Sequence, residues 1–131
     1  MVLDPGDPAP RVAAPDQSGA VVEPPFDDPT VLFFYPRDGT EGCTTEARQF
    51  EAERTTYEEA GVMAYGVSTD DVDAHAEFAA AEDLSVPLLA DPEGELAAAF
   101  DVSIENDRAA RTTFVLADGV VELDWYEPPS G

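Results

Sequence analysis

Apolar residues along the chain gather in short runs separated by longer stretches of mixed character. Residues 31–35 and 62–67 are nearly continuous apolar runs, which is typical of strands that are covered on both faces. Between them, residues 43–60 repeat apolar positions at helical spacing on the stripe of Cys43, and Gly61 ends the pattern. The first half of the chain therefore predicts a parallel β-α-β unit.

The second half of the chain carries shorter patterns. They predict a helix, a short strand and a short helix, in that order, over residues 71–82, 88–90 and 95–100. Residues 113–117 and 120–124 are then apolar runs on either side of Asp118-Gly119, a two-residue signal for a hairpin. The chain is thus predicted to be an α/β protein whose parallel strands come first and whose antiparallel hairpin comes last.

The helix over residues 71–82 is predicted to turn Val72, Ala76 and Ala79 towards the core. His75, the only histidine of the chain, lies beside that stripe. We expect it to be a packed or hydrogen-bonded helix residue rather than a ligand or a base. One histidine and one cysteine do not supply the roughly four ligands of a zinc site, so no metal site is predicted.

Length and composition predict one domain over residues 1–131. The chain has 131 residues, enough for one modest core. No apolar run approaches the roughly 20 residues of a membrane span. The amino-terminal residues lack the basic and apolar regions of a signal peptide. Because one free cysteine suits a reducing compartment, we expect a cytoplasmic protein.

The charge of the chain is the second feature that changes the interpretation. There are 29 acidic residues against 6 basic ones, all arginines, and the formal net charge is −23. Such a charge repels itself at low salt and is screened at molar salt, so we expect a protein adapted to a salt-rich cytoplasm, as in halophilic archaea. Nucleic acid and anionic membranes are not expected as partners, because both need basic residues to neutralise phosphate.

Cys43 is the candidate for chemistry. It follows the strand over residues 31–35 and stands where the next helix opens, so its thiol faces unpaired backbone N–H groups and the positive end of the helix dipole. Both favour the thiolate, which is the reactive form of cysteine. Placement alone leaves two readings open, a nucleophile and a buried structural cysteine.

The residues around Cys43 carry a family resemblance. Pro36, Thr40 and Cys43 form a P-x-x-x-T-x-x-C string between a strand and a helix, and Arg111 stands far downstream in Arg-Thr-Thr-Phe-Val. With further matches at residues 5–10, 66–70, 75–78 and 87–91, the chain resembles the peroxiredoxins over nearly its whole length. It is most similar to the bacterioferritin-comigratory, or peroxiredoxin Q, group.

The resemblance implies an antioxidant thiol peroxidase that needs no cofactor. It implies that the redox-active Cys43 attacks hydrogen peroxide or a small organic hydroperoxide and becomes a sulfenic acid. Thr40 would place its hydroxyl beside the sulfur, Arg111 would supply a cation to the thiolate and the peroxide, and Pro36 would shield the sulfur from solvent. Taken singly, each of these three has a structural reading: a turn residue, a surface ion pair and a strand end.

One departure from the group matters for the reaction cycle. Many relatives carry a resolving cysteine five residues after the first, whereas this chain has Arg48 there and no second cysteine. We therefore expect a one-cysteine enzyme whose sulfenic acid is reduced by an external thiol, from a thioredoxin-like protein or a small molecule. We expect Arg48 to face solvent. A redox sensor that is oxidised once, and a module with an inert thiol, remain as alternatives.

The resemblance also implies a thioredoxin-like fold, a mixed central sheet with flanking helices. In that order of elements Arg111 begins a strand that can carry it towards Cys43. The printed chain ends at Gly131, where relatives continue into a helix, so we expect the usual last helix to be missing. We expect a monomer or a weak homodimer.

Overall fold

The computed structural model describes the backbone of residues 5–127 and the side chains of residues 5–121. Among these residues the strands and helices, in chain order, are β1 (Ala14–Pro15), β2 (Val21–Val22), β3 (Thr30–Phe34), α1 (Glu41–Ala52), α2 (Arg54–Glu59), β4 (Met63–Ser68), α3 (Val72–Glu82), β5 (Leu88–Ala90), α4 (Glu95–Ala99), β6 (Ile104–Glu105), β7 (Arg108–Ala109), β8 (Arg111–Ala117) and β9 (Val120–Glu127).

Five strands form one mixed sheet in the order β5-β4-β3-β8-β9. β3 runs parallel to β4, and β4 runs parallel to β5. β8 pairs antiparallel with both β3 and β9. The predicted α/β class, with a mixed central sheet, flanking helices and a thioredoxin-like order of elements, is confirmed.

The sheet separates two apolar clusters because successive side chains of a strand point to opposite faces. Leu32 and Phe34 of β3 belong to the cluster that includes Phe100. Phe33, between them, belongs with Cys43 to the second cluster. Cys43 is therefore held on the face of the sheet that α1 covers.

The single helix predicted over residues 43–60 is two helices. α1 begins two residues earlier than predicted, and Glu53 separates it from α2 with φ −92° and ψ 0°. Just before the break, the carboxylate of Glu51 accepts hydrogen bonds from the backbone N–H groups of Ser85 and Val86, at 2.7 and 2.9 Å. The end of α1 is thus fastened to a distant loop. No proline or glycine in the sequence marks the break.

The buried face of α3 differs from the prediction. Ala79 is buried as expected, but Ala76 is exposed, and His75 and Phe78 fill the inner face. His75 is fully buried, and both of its ring nitrogens have hydrogen-bond partners inside the protein, which compensates for the loss of contact with water. The expectation that His75 is packed and hydrogen-bonded is confirmed.

Two-residue turns close two of the hairpins. Asp118 and Gly119 have φ values of 55° and 74°, the left-handed pair that a type I′ turn requires, and they join β8 to β9 as predicted. Asn106 and Asp107, with φ values of 53° and 63°, join β6 to β7. That second hairpin and the pairing of β1 with β2 were not predicted from the sequence.

The predicted absence of a last helix concerns residues after Glu127, which lie outside the described residues. Within the described part of the chain, none of the helices combines the length and the apolar character needed to cross a membrane.

Candidate active site

Cys43 lies in the first turn of α1, where the sequence predicted it. A short loop leaves the end of β3 and reaches Thr40, the residue that precedes α1, through Gly39. Gly39 has φ 82°, a left-handed conformation that suits glycine. Cys43 is then the third residue of the helix, and it is only 1% exposed. The sulfur is thus enclosed by protein close to the positive end of α1.

Arg111 reaches Cys43 from the neighbouring strand. The register pairs Phe34, the last residue of β3, with Thr112 of β8. Arg111, the first residue of β8, therefore lies at the end of the strands from which the loop to α1 departs. Its Nη2 donates a hydrogen bond to Cys43 Sγ at 3.3 Å. Two residues that are 68 positions apart in the sequence are therefore in direct contact.

Glu46 is a site residue that the sequence analysis missed. Its Oε1 accepts a hydrogen bond from Arg111 Nη1 at 2.6 Å, and both side chains are largely buried. Glu46 lies three residues after Cys43, so the two share one face of α1. That spacing is the only sequence signal for it, since acidic residues are everywhere in this chain.

The guanidinium of Arg111 is held as a cation between two acidic groups. Partial burial alone would lower the pKa of Arg111, but Glu46 and Cys43 together raise it above its ordinary value. A charge-assisted hydrogen bond is stronger than a neutral one. Arg111 therefore presents a permanent positive charge to the sulfur.

Gly42 leaves room for this contact. A Cβ atom at Gly42 would lie 3.3 Å from Arg111 Nη2, closer than ordinary van der Waals contact. A side chain there would force the guanidinium to give way. The absence of a side chain at the residue before Cys43 thus supports the close approach of Arg111.

The other two predicted residues lie on the loop that leads to Cys43. Thr40 is exposed, and its hydroxyl donates a hydrogen bond to the Arg37 carbonyl oxygen at 3.3 Å. Pro36 is half-buried and lines a surface cleft together with residues of the β6–β7 hairpin, among them Asn106 and Arg108. In this structure, then, Arg111 contacts the sulfur directly, while Thr40 and Pro36 frame the loop.

Arg48 lies on α1 five residues after Cys43. Its side chain is 67% exposed and pairs with Glu82 of α3 at 3.1 Å. The expected solvent-facing orientation is present, and the ion pair is of the exposed kind that contributes little to stability.

One group of possible metal ligands occurs among the described residues. Asp38, Asp70 and His75 offer atoms that lie within 4.8 Å of one another. These atoms are already engaged: Asp38 pairs with His75, and Asp70 accepts from Ser68 Oγ and from the Asp38 backbone N–H. The group therefore forms a hydrogen-bond network.

Comparison with known proteins gives a consistent result. Residues 5–123 match the AhpC/TSA family. The chain is 38% identical over 103 residues to peroxiredoxin Bcp of Xanthomonas campestris pv. campestris. That alignment covers 72% of this chain and 64% of the relative, so this chain spans slightly less than two thirds of the length of that curated relative.

Solved structures agree with the sequence comparison. The chain superposes on the peroxidoxin BcpB of Mycobacterium tuberculosis with a TM-score of 0.86 and 34% identity, covering 95% of this chain and 86% of the other. It superposes on the bacterioferritin comigratory protein of Xanthomonas campestris, studied for its alkyl peroxide reduction activity, with a TM-score of 0.82 and 30% identity. That match covers 90% of this chain and 82% of the other.

Proposed function

The chain belongs to the AhpC/TSA family and, within it, to the Bcp or peroxiredoxin Q group of thiol-dependent peroxidases, and we propose that it reduces hydrogen peroxide and small organic hydroperoxides through Cys43. The observation that carries the proposal is the contact of 3.3 Å between Arg111 Nη2 and Cys43 Sγ at the first turn of α1. A fixed cation and unpaired helix N–H groups are what a reactive thiolate requires.

The proposed reaction begins with attack of the Cys43 thiolate on the terminal oxygen of the hydroperoxide. An S–O bond forms and the O–O bond breaks, so that sulfur is oxidised by two electrons and the peroxide is reduced. The departing oxygen takes up a proton and leaves as water or an alcohol, and Cys43 is left as the sulfenic acid.

Three residues serve this step in the proposal. Arg111 stabilises the thiolate and the charge that develops on the peroxide oxygens, the kind of interaction that is usually the largest catalytic term. Thr40 turns its hydroxyl from the Arg37 carbonyl towards the bound peroxide. Pro36, which has no backbone N–H to donate, shields the sulfur of Cys43 from solvent. Glu46 positions Arg111 by holding its second nitrogen.

Recycling of the sulfenic acid needs an external thiol, because Cys43 is the only cysteine of the sequence. The first thiol condenses with the sulfenic acid, giving a mixed disulfide and water. A second thiol then releases Cys43 and leaves as the other half of a disulfide. We propose that this one-cysteine cycle uses a thioredoxin-like protein or a small thiol.

The proposal also covers the cellular environment, the partners and the oligomeric state of the enzyme. A net charge of −23 with no lysine supports a salt-rich cytoplasm, of the kind found in halophilic archaea, and argues against nucleic acid and anionic membranes as partners. We propose a single domain over residues 1–131 that works as a monomer or a weak homodimer.

The decisive experiment is rapid mixing of the reduced protein with limiting hydrogen peroxide in concentrated potassium chloride. Consumption of one thiol per protein, far faster than with free cysteine, is the expected result, and Cys43→Ser should abolish it. Repeated turnover with an added thiol distinguishes the peroxidase from a sensor that is oxidised once. A rate no faster than that of free cysteine would overturn the proposal.

A further inference from the structure

Asp38 fastens the loop between β3 and α1 at three points. Its backbone N–H donates to Asp70 Oδ2 at 2.7 Å, beyond the end of β4. Its Oδ1 accepts the Tyr35 hydroxyl at 2.6 Å, and its Oδ2 lies 2.6 Å from His75 Nδ1 on α3. The loop that leads into Cys43 is therefore tied to β3, to β4 and to α3 by one residue.

The hydrogen bonds of His75 locate a proton. Its Nε2 lies 3.0 Å from the Leu89 carbonyl oxygen, which can only accept, so Nε2 carries a hydrogen. Its Nδ1 lies 2.6 Å from Asp38 Oδ2. A bare ring nitrogen facing a bare carboxylate oxygen at that distance would be repulsive. A second proton consequently lies between His75 and Asp38.

The surroundings make this pair well suited to hold a loop. The side chains of His75 and Asp38 are 0% and 7% exposed. Burial and the nearby Asp38 raise the pKa of Tyr35 well above its ordinary value, so the Tyr35 hydroxyl stays protonated and remains a donor to Asp38. Each polar atom of this pair has a partner, as a buried network requires.

We propose that the proton-sharing pair of Asp38 and His75 holds the loop between β3 and α1 in the position that the reaction of Cys43 with peroxide requires. By fixing Asp38 it fixes Gly39 and Thr40, and with them the first turn of α1 that presents Cys43 to the peroxide. The inference rests on the proposed peroxidase function. Asp38 and His75 are positioning residues, since neither of them touches the sulfur or the substrate.

The kinetic test compares three variants at equal salt. Asp38→Ala removes the carboxylate, and the rate of Cys43 with hydrogen peroxide should fall about 10- to 100-fold, the effect of a small displacement of reacting groups. Asp38→Asn should restore most of the rate, because its amide can accept from Tyr35 and donate to a neutral His75. Asp71→Ala is the control: it removes the side-chain cap of α3 at Ala74 N, so it should lower the melting temperature while the rate remains that of the wild type.

A spectroscopic test reads the proton itself. Because the chain has one histidine, imidazole N–H resonances in a ¹⁵N-labelled sample belong to His75 alone. With a chelator present, the folded wild-type protein should show a strongly downfield proton on Nδ1, and Asp38→Ala should lose it. This measurement does not depend on peroxide chemistry, and circular dichroism establishes that each variant is folded.

The outcomes separate the two proposals. A fast wild-type protein and an equally fast, folded Asp38→Ala would overturn the positioning role alone, as would a wild-type protein that shows no downfield proton in the hydrogen bond between His75 and Asp38. Loss of the rate in Asp71→Ala as large as in Asp38→Ala would also overturn it, because general destabilisation would then explain both. A wild-type rate no better than free cysteine, with the Nδ1 proton present, would overturn the proposed peroxidase and with it the role of the loop.

Discussion

At the scale of single residues, one guanidinium serves two acidic partners in a chain that is poor in cations. Arg111 is one of only six basic residues, and it divides its donors between Glu46 and Cys43, at 2.6 and 3.3 Å. Glu46 binds Nη1 and so fixes the orientation of the guanidinium plane, which directs Nη2 at the sulfur of Cys43. One rigid guanidinium plane thus directs two hydrogen bonds at two different residues, which lysine cannot reproduce.

Replacement of Arg111 tests this arrangement. Arg111→Ala should slow the reaction of Cys43 with hydrogen peroxide by about 100- to 1000-fold, the usual effect of losing one donor that stabilises developing charge. Arg111→Lys should recover only part of the loss, because an ammonium cannot hold Glu46 and Cys43 with one rigid plane. Rates are measured by rapid mixing from acid to alkaline pH. A rate in Arg111→Ala equal to that of the wild type across the range would remove the assigned role.

At the level of single residues, the sequence offered site candidates only where a linear motif or the family pattern carried the information. Pro36, Thr40 and Cys43 stand close together in the chain, and the family pattern pointed to Arg111. Glu46 and the pair of Asp38 with His75 have no such motif. Their contacts depend on which face α3 buries and how the loop closes, and in a chain with 29 acidic residues no single carboxylate stands out.

At the scale of elements, the contact of β3 with β4 depends on one missing side chain. Gly66 pairs with Phe33 across the two strands, and a Cβ atom at Gly66 would meet the Phe33 ring at 2.8 Å. The ring cannot retreat freely, because it stacks on Phe50 with centroids 4.1 Å apart. Overpacking of this kind typically destabilises a protein by about 1–3 kcal/mol.

We therefore expect Gly66→Ala to lower the free energy of unfolding by roughly 1–3 kcal/mol. Chemical denaturation in concentrated potassium chloride measures it. In a Phe33→Leu background the same substitution should cost less, since a flexible side chain replaces the ring. An equal cost in both backgrounds would contradict the steric explanation.

The anchor between α1 and the loop before β5 has a predictable pH dependence. Burial by itself would raise the pKa of Glu51, but hydrogen bonds from Ser85, Val86 and Arg54 lower it below its ordinary value. A carboxyl whose pKa is lower in the folded state stabilises the fold above its unfolded-state pKa. That contribution is lost as the pH falls through the folded-state pKa.

Glu51→Gln should consequently be less stable than the wild type near neutral pH. The difference should shrink as the pH falls from the unfolded-state pKa through the lower folded-state pKa, because the wild-type carboxylate then becomes protonated too. Denaturation midpoints of both proteins at several pH values measure it. Glu77→Gln, on an exposed position of α3, is a matched control that should show no such convergence. A difference that stays constant with pH would count against the anchor.

The elements themselves were predictable where the hydrophobic pattern was strong. The apolar runs marked β3, β4, β8 and β9, and Asp118-Gly119 marked the turn between the last two. The separation of α1 from α2 was not predictable, because no proline or glycine marks it and the adjacent contacts of Glu51 are with residues more than 30 positions away. The hairpin at Asn106-Asp107 was missed because its strands are two residues each, too short to show alternation.

At the scale of the whole molecule, the acidic side chains are kept at the surface. Among the residues with described side chains, Asp38 and Glu46 have largely enclosed carboxylates that pair with His75 and Arg111, and one acidic residue, Asp91, is buried as a whole. It accepts the backbone N–H groups of Leu96 and Ala97 at the start of α4, at 3.0 Å each. The other described acidic groups are exposed or half-buried, so their mutual repulsion acts largely through solvent and is open to screening by salt.

Stability should accordingly depend on salt. With a net charge of −23, transfer from about 3 M to about 0.1 M potassium chloride lengthens the screening distance from below about 3 Å to about 10 Å. We expect the melting temperature to fall by several degrees or more, since about 1 kcal/mol shifts a domain of this size by several degrees. A low-salt sample brought to the same osmolality with an uncharged sugar separates screening from general solute exclusion: it should recover only part of the loss. Equal melting temperatures at the two salt concentrations would overturn the salt adaptation, because a surface of this charge cannot be indifferent to screening unless its repulsion is already balanced within the fold.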